Sequence, residues 1–185
     1  MANTVLDAVD LLHPGGGDNP GGVATIHGYA MLDDIKTLQA PDKLNAADAT
    51  LESIGSIDTP HIFAVGKSMK KVYGTENKGS VDVKQTGELD GGGARPEFKF
   101  WHPGSKARVD GWARMMRNNI CIFFAQEADG TVRQIGNAQF PAHVSVNYST
   151  GSNNDGYRGY EVTVRSFGEA PIYTPGLNFT PAVAV

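Results

Sequence analysis

Ile120-Cys121-Ile122-Phe123-Phe124-Ala125 is the stretch on which the fold turns, together with Asp129-Gly130 and Thr131-Val132-Arg133-Gln134-Ile135 just after it. The first run is apolar at every position. A half-buried strand would alternate, so this run predicts a central strand covered on both faces. Asp-Gly favours the left-handed backbone of a short hairpin turn, and the residues after it predict the returning strand.

Working outward, the same signals recur. Phe140 to Tyr148 carries Val144 and Val146 in alternation, and Asn153-Asn154-Asp155-Gly156 reads as a turn. Tyr160-Glu161-Val162-Thr163-Val164-Arg165 then gives the cleanest two-residue period in the chain. Upstream, Ser80 to Leu89 places Val81 and Val83 opposite Asp82, Lys84 and Thr86. Glu97-Phe98-Lys99-Phe100-Trp101, Ile62-Phe63-Ala64-Val65 and Val23 to Met31 complete the predicted strands. One helix is predicted, from Ser105 as its cap to Asn118, with Val109, Trp112, Ala113 and Met116 on one apolar stripe. Lys106, Arg108, Arg114 and Arg117 occupy its other faces. The expected fold is mainly β: two packed antiparallel sheets, sandwich- or barrel-like, with one flanking helix.

The ends read differently. Pro14-Gly15-Gly16-Gly17-Asp18-Asn19-Pro20-Gly21-Gly22 is breaker chemistry, too loose for a regular element. Residues 1–22 are therefore expected to form a flexible, extended arm, with Val5, Leu6, Leu11 and Leu12 as its apolar contacts. Residues 23–185 are expected to make a single β-rich domain. Within it, 33–60 reads as an irregular loop region, with at most a short helical turn near Asn45 to Ala49, and the chain closes in a C-terminal tail.

Composition narrows the function. The 185 residues are 40% hydrophobic and 19% charged, enough apolar material for a core. The net charge of -4 argues against a polybasic nucleic-acid binder. No apolar run approaches the ~18 residues of a membrane span. The one cysteine, Cys121, lies in an apolar run and reads as a small buried hydrophobe. Met1-Ala2-Asn3-Thr4-Val5 shows no basic region leading into an apolar one, so no secretory leader is expected and production in a cytoplasm is.

Catalytic and metal motifs fail on their chemistry. Gly66-Lys67-Ser68 resembles the end of a phosphate loop, but His61 stands where the first glycine must be. Asn153-Asn154-Asp155-Gly156 resembles the middle of a calcium loop, yet its first ligand position would be Gly151, which has no side-chain oxygen. His13, His27, His61, His102 and His143 have no metal-ligand spacing among them. No catalytic residue, metal site or cofactor is expected. Trp101, Tyr157 and Tyr160 offer one conventional alternative, an aromatic platform for a carbohydrate-binding β-sandwich.

The succession of elements resembles the tail tube (major tail) proteins of tailed bacteriophages and phage-like particles. Helix 105–118, strand 120–125, the Asp129-Gly130 hairpin and Ile135-Gly136-Asn137 carry the likeness. So do the Phe140-Pro141-Ala142 step, Ser149-Thr150-Gly151, and Asp155-Gly156 ahead of the strand Gly159 to Val164. The resemblance spans roughly residues 21–173. It implies a structural virion protein that assembles with itself and with other tail proteins into stacked rings, commonly hexameric. DNA would pass through the channel transiently and without sequence preference, and no membrane partner is implied. Lumen-facing candidates are Asp82, Lys84 and Thr86 on one strand and Glu161, Thr163 and Arg165 on another; an ordinary solvated sheet face is the alternative. A capsid-decorating or other head-tail β-sandwich protein is the rival reading from the same world.

Overall fold

The computed structural model describes residues 20–88, 92–152 and 156–183. The predicted arm contacts Val5, Leu6, Leu11 and Leu12, and the turn residues Asn153 to Asp155, lie outside that set. The chain begins with β1 (Ile26–Met31), a 3-10 turn (Leu32–Asp34) and β2 (Ile35–Thr37). It continues through α1 (Leu51–Gly55), β3 (Ser56–Ile57), β4 (Ile62–Phe63) and β5 (Lys70–Tyr73). Two long strands follow, β6 (Ser80–Thr86) and β7 (Gly93–Pro103), and then α2 (Ala107–Met116). The last five strands are β8 (Cys121–Gln126), β9 (Val132–Ile135), β10 (His143–Ser149), β11 (Gly159–Arg165) and β12 (Ile172–Tyr173).

The architecture is mainly β, as expected. Six strands in the order β3-β12-β9-β8-β1-β5 make one sheet, and β10-β11-β7-β6 make the other. A third pair, β2-β4, is small, and no barrel closes among the described residues.

Strand β8 explains the layering. Cys121, Phe123 and Ala125 face the four-stranded sheet, joining Phe98, Phe100, Tyr160, Val162 and Val164 in one core. Ile122 and Phe124 face the other way, into a second core with Ala30, Ile57, Met69 and Tyr173. Leu38, Phe63, Leu177 and Phe179 cover that second core from the loop region, β4 and the C-terminal tail. All five residues Cys121 to Ala125 are fully buried. Each buried phenylalanine contributes about 1.5–3 kcal/mol of transfer free energy, so β8 anchors both layers.

The hairpin after β8 forms as predicted. Gly130 adopts φ +94, and Asp129 locks the turn by accepting from the Thr131 amide and hydroxyl. Phe123 then pairs with Ile135 and Gln126 with Val132. The helix flanks the sandwich, with Met116 buried and Val109 and Trp112 packed against the first core.

Three expectations need correcting. Ser105 does not cap α2; Lys106 holds that position without a side-chain cap bond, because the helix starts later than its apolar stripe suggests. The 33–60 region, expected to be mostly irregular loop, carries β2, α1 and β3, while at 44–48, where at most a short helical turn was expected, it makes turns. Helix α1 is set by a capping box in which Thr50 and Ser53 satisfy each other's amides. The predicted strand 62–65 shortens to Ile62–Phe63, since Ala64 and Lys67 make a turn.

Candidate functional site

The two strands that supplied the lumen candidates belong to one sheet and one face. Strand β7 lies between them and pairs with both, antiparallel each time. Directly opposed residues share a face. One row across the sheet therefore reads Asp82, Glu97, Arg165, His143. The next reads Ser80, Lys99, Thr163, Ser145, and a third places Trp101 beside Glu161 and Asn147. Lys84 stands opposite Arg95. The inward face of the same strands carries Val81 opposite Phe98 and Val162 opposite Phe100, which tie it to the core.

Glu97 is the hub of this outer face. Its carboxylate takes the Lys99 ammonium at 2.8 Å and the Arg165 guanidinium on its other oxygen. The hydrogen bond from Lys99, and then that from Arg165, holds the Glu97 carboxyl below the ordinary carboxylate range. The same contact pushes the Lys99 ammonium up. Of the six lumen candidates, Asp82, Lys84, Thr86, Glu161 and Arg165 are exposed. Thr163 is buried, at 8% exposure, because its short side chain sits on a central strand among longer neighbours. Sequence reasoning omitted Arg95, Glu97 and Lys99, although the alternation of Glu97 to Trp101 contained the signal.

The edges of the sheet are the second feature. β6 and β10 are its outermost strands, each seven residues long. β6 is exposed on both faces for most of its length, and Val83, on its inward side, is 42% exposed.

The aromatic platform does not form. Trp101 and Tyr157 meet edge to face with centroids 5.0 Å apart, and Lys78 Nζ lies 3.4 Å from the Tyr157 centroid. Tyr160 points into the core on the opposite face, where its hydroxyl donates to Asp110 at 2.6 Å. The alternation of β11 forces this, since Glu161 takes the outward position.

The buried titratable groups serve packing. The Cys121 thiol is pushed up to about 12 by burial. His27 Nδ1 accepts from the Gln126 amide, while burial pushes the ring down to about 4. His61 stacks on Tyr173, its Nδ1 accepts from the Gln39 amide and its Nε2 pairs with Gln134 Oε1 at 2.7 Å. Burial lowers its pKa as well. His143 is exposed on β10, and His102 Nδ1 lies 2.9 Å from the Tyr73 carbonyl. Among the described residues no group of three or more His, Cys, Asp or Glu is placed to hold a metal. Among them, too, no helix is long and apolar enough to cross a membrane.

No family model, curated protein or solved structure matches this chain.

Proposed function

We propose that this chain is a structural subunit of a phage-type tail tube, joining copies of itself into rings that stack around a channel for DNA. The observation that carries the reading is the pair of equal, outermost edges on the four-stranded sheet. Because β6 and β10 are different strands, the contact they make between copies is heterologous, the kind that closes rings. Three antiparallel steps separate them, so they run in opposite directions. β10 of the next copy would then continue the antiparallel alternation beside β6. Around a hexamer the polar face would become one uninterrupted wall, lined by Asp82, Lys84, Thr86, Glu161 and Arg165.

The electrostatics suit a conduit. A protein that grips DNA presents unpaired cations to phosphate. Here Lys99 and Arg165 are both engaged by Glu97, and Asp82 and Glu161 are interspersed among the cations. Lys84 and Arg95, opposed across β6 and β7, are cations of this face with no carboxylate partner among the described residues, so the face mixes both signs and would hold phosphate only weakly. Other tail proteins are the further partners, the virion the destination and the host cytoplasm the place of synthesis.

Negative-stain microscopy of the purified full chain tests the reading. Tubes or stacked rings are expected. A monodisperse monomer by light scattering at every concentration, with no cylinder on the grid, overturns it. Val83→Lys puts an inward-pointing charge on the β6 edge, a device that blocks strand pairing. It is expected to abolish tubes while leaving the folded monomer intact.

A further inference from the structure

We infer that the groove between α2 and the free edge of β5 receives the segment Val5 to Leu12 of a neighbouring copy, an inference that rests on the self-assembly reading above. The groove encloses about 370 Å³, with Ile26, Val72, Val109 and Trp112 among its apolar lining. β5 is the outermost strand of the six-stranded sheet, so its backbone on that side meets no other strand among the described residues. A wall of helix beside an open strand edge suits an extended or helical apolar segment.

Charge selects the occupant. The ionisable groups lining the groove are Lys71, His102, Arg108 and two tyrosines, Tyr29 and Tyr73; among the described residues no carboxylate lines it. The Lys71 ammonium lies over the Phe179 ring, 4.7 Å from its centroid. Arg108 is exposed and forms no ion pair among the described residues. The segment ahead of Pro20 is the complement. It carries Asp7, Asp10 and Asp18 with no lysine or arginine, and Val5, Leu6, Val9, Leu11 and Leu12 around the first two acids. An apolar segment bearing carboxylates fits an apolar groove bearing an unpaired guanidinium.

The self-assembly reading makes a neighbour the source, and the path of the chain leaves that neighbour within reach. Val23 bridges to Glu127, the Ala24 amide donates to the Gln126 carbonyl, and the Ala128 amide donates to the Gly22 carbonyl. The chain therefore enters β1 alongside β8, across β1 from β5 and the groove. The residues from His13 to Pro20 span up to about 27 Å when extended, enough to reach an adjoining copy.

Cross-linking full-length chains tests this. Leu6→Cys is introduced in one chain and Val109→Cys, which leaves Arg108 in place, in another, and the equimolar mixture is treated with a short bismaleimide; Cys121 is buried in both. A covalent pair containing one of each chain is expected, and a synthetic peptide of residues 1–14 should lower its yield. Absence of the mixed pair, or a yield indifferent to the peptide, overturns the inference. A doubly substituted chain that links only within itself also overturns it, by making the segment its own chain's lid. Charge gives an independent arm. With Leu6→Cys paired against Val109→Cys, adding Arg108→Glu should cut the yield about tenfold, and Asp7→Lys with Asp10→Lys should restore it. No loss with Arg108→Glu overturns the electrostatic basis. Tubes without the cross-link would refute the groove alone, whereas the mixed pair without tubes would support the groove and refute the tube.

Discussion

Strands β8 and β11 are both central in their sheets, yet they present opposite patterns. β8 buries Cys121 to Ala125 on two faces because the six-stranded sheet has a layer on each side. β11 buries Tyr160, Val162 and Val164 but exposes Glu161 and Arg165, because the four-stranded sheet is covered on one side only. The number of covering layers, not the position within a sheet, sets the pattern. One sheet is thus committed to holding the molecule together, and the other has a whole face left for something else.

The sharpest way to break this contrast is to truncate one side chain of each kind. Phe123→Ala removes a ring buried between the two sheets and is expected to cost about 3–5 kcal/mol in urea unfolding. Glu161→Ala, on the uncovered face, is expected to stay within about 0.5 kcal/mol. Equal losses would mean that the outer face is structural too.

The same contrast governs what could be read from the chain. Strands with a strong period, such as Tyr160 to Arg165 and Ser80 onward, were legible because burial on one face leaves its mark on every second residue. β8 was legible for the opposite reason. Strand β5, Lys70 to Tyr73, was not. It is a short edge strand whose only half-buried member is Val72, so its residues look like a loop. β12 and β3 are two-residue strands, held by the layer they touch rather than by their own pattern. Helix α1 hid because Ser53 does the work normally given to a glutamate in the capping box. Of the candidate site, the two strands carrying the lumen candidates were named separately. Their union through β7 is a matter of strand order, which no local pattern encodes.

Acidification should probe the contact between the sheets from within. His27, on β1, packs its ring 4.7 Å from Phe98 of the facing sheet, and its Nε2 has no hydrogen-bond partner among the described residues. Burial holds it at about 4 in the fold, against 6.5 when unfolded. Between those values the unfolded chain binds a proton that the folded one refuses. Stability is therefore complete above 6.5 and lost as pH falls toward 4, by about 3 kcal/mol over the window. His61, also lowered by burial, acts in the same direction. Urea midpoints measured from pH 7 to 4 should show the loss, and His27→Gln should flatten it. A midpoint constant across the window would mean that the sheets admit the charged ring.

A smaller effect is expected where the chain turns into β11. An added Cβ on Gly159 would stand 2.5 Å from the His102 carbonyl oxygen and 2.7 Å from Trp101 Nε1. Neither the β7 backbone nor the indole held against Tyr157 yields freely. Gly159→Ala should cost about 1–3 kcal/mol by overpacking and should change Trp101 fluorescence. An unperturbed spectrum and midpoint would show that this end of the four-stranded sheet is looser than its pairing implies.

The least energetic test addresses the uncovered face directly, by titration instead of unfolding. Glu97 keeps its charge because Lys99 and then Arg165 donate to it, so its carboxyl should titrate below the ordinary range when followed by carbon-13 NMR. Lys99→Ala should raise that value more than Arg165→Ala does, and 1 M salt should raise it in the parent chain by screening. The sign for stability follows: a carboxyl lowered by folding adds stability above its unfolded pKa and loses it as pH falls through the folded one. Both partners reach Glu97 across solvent-exposed surface, with Lys99 45% and Arg165 60% exposed, so the titration should respond far more than the unfolding midpoint. A Glu97 that titrates normally, or that ignores salt, would mean the cations are free in solution. The face would then add two unengaged cations to Lys84 and Arg95 against phosphate, and the argument that DNA slides past it would lose its electrostatic support.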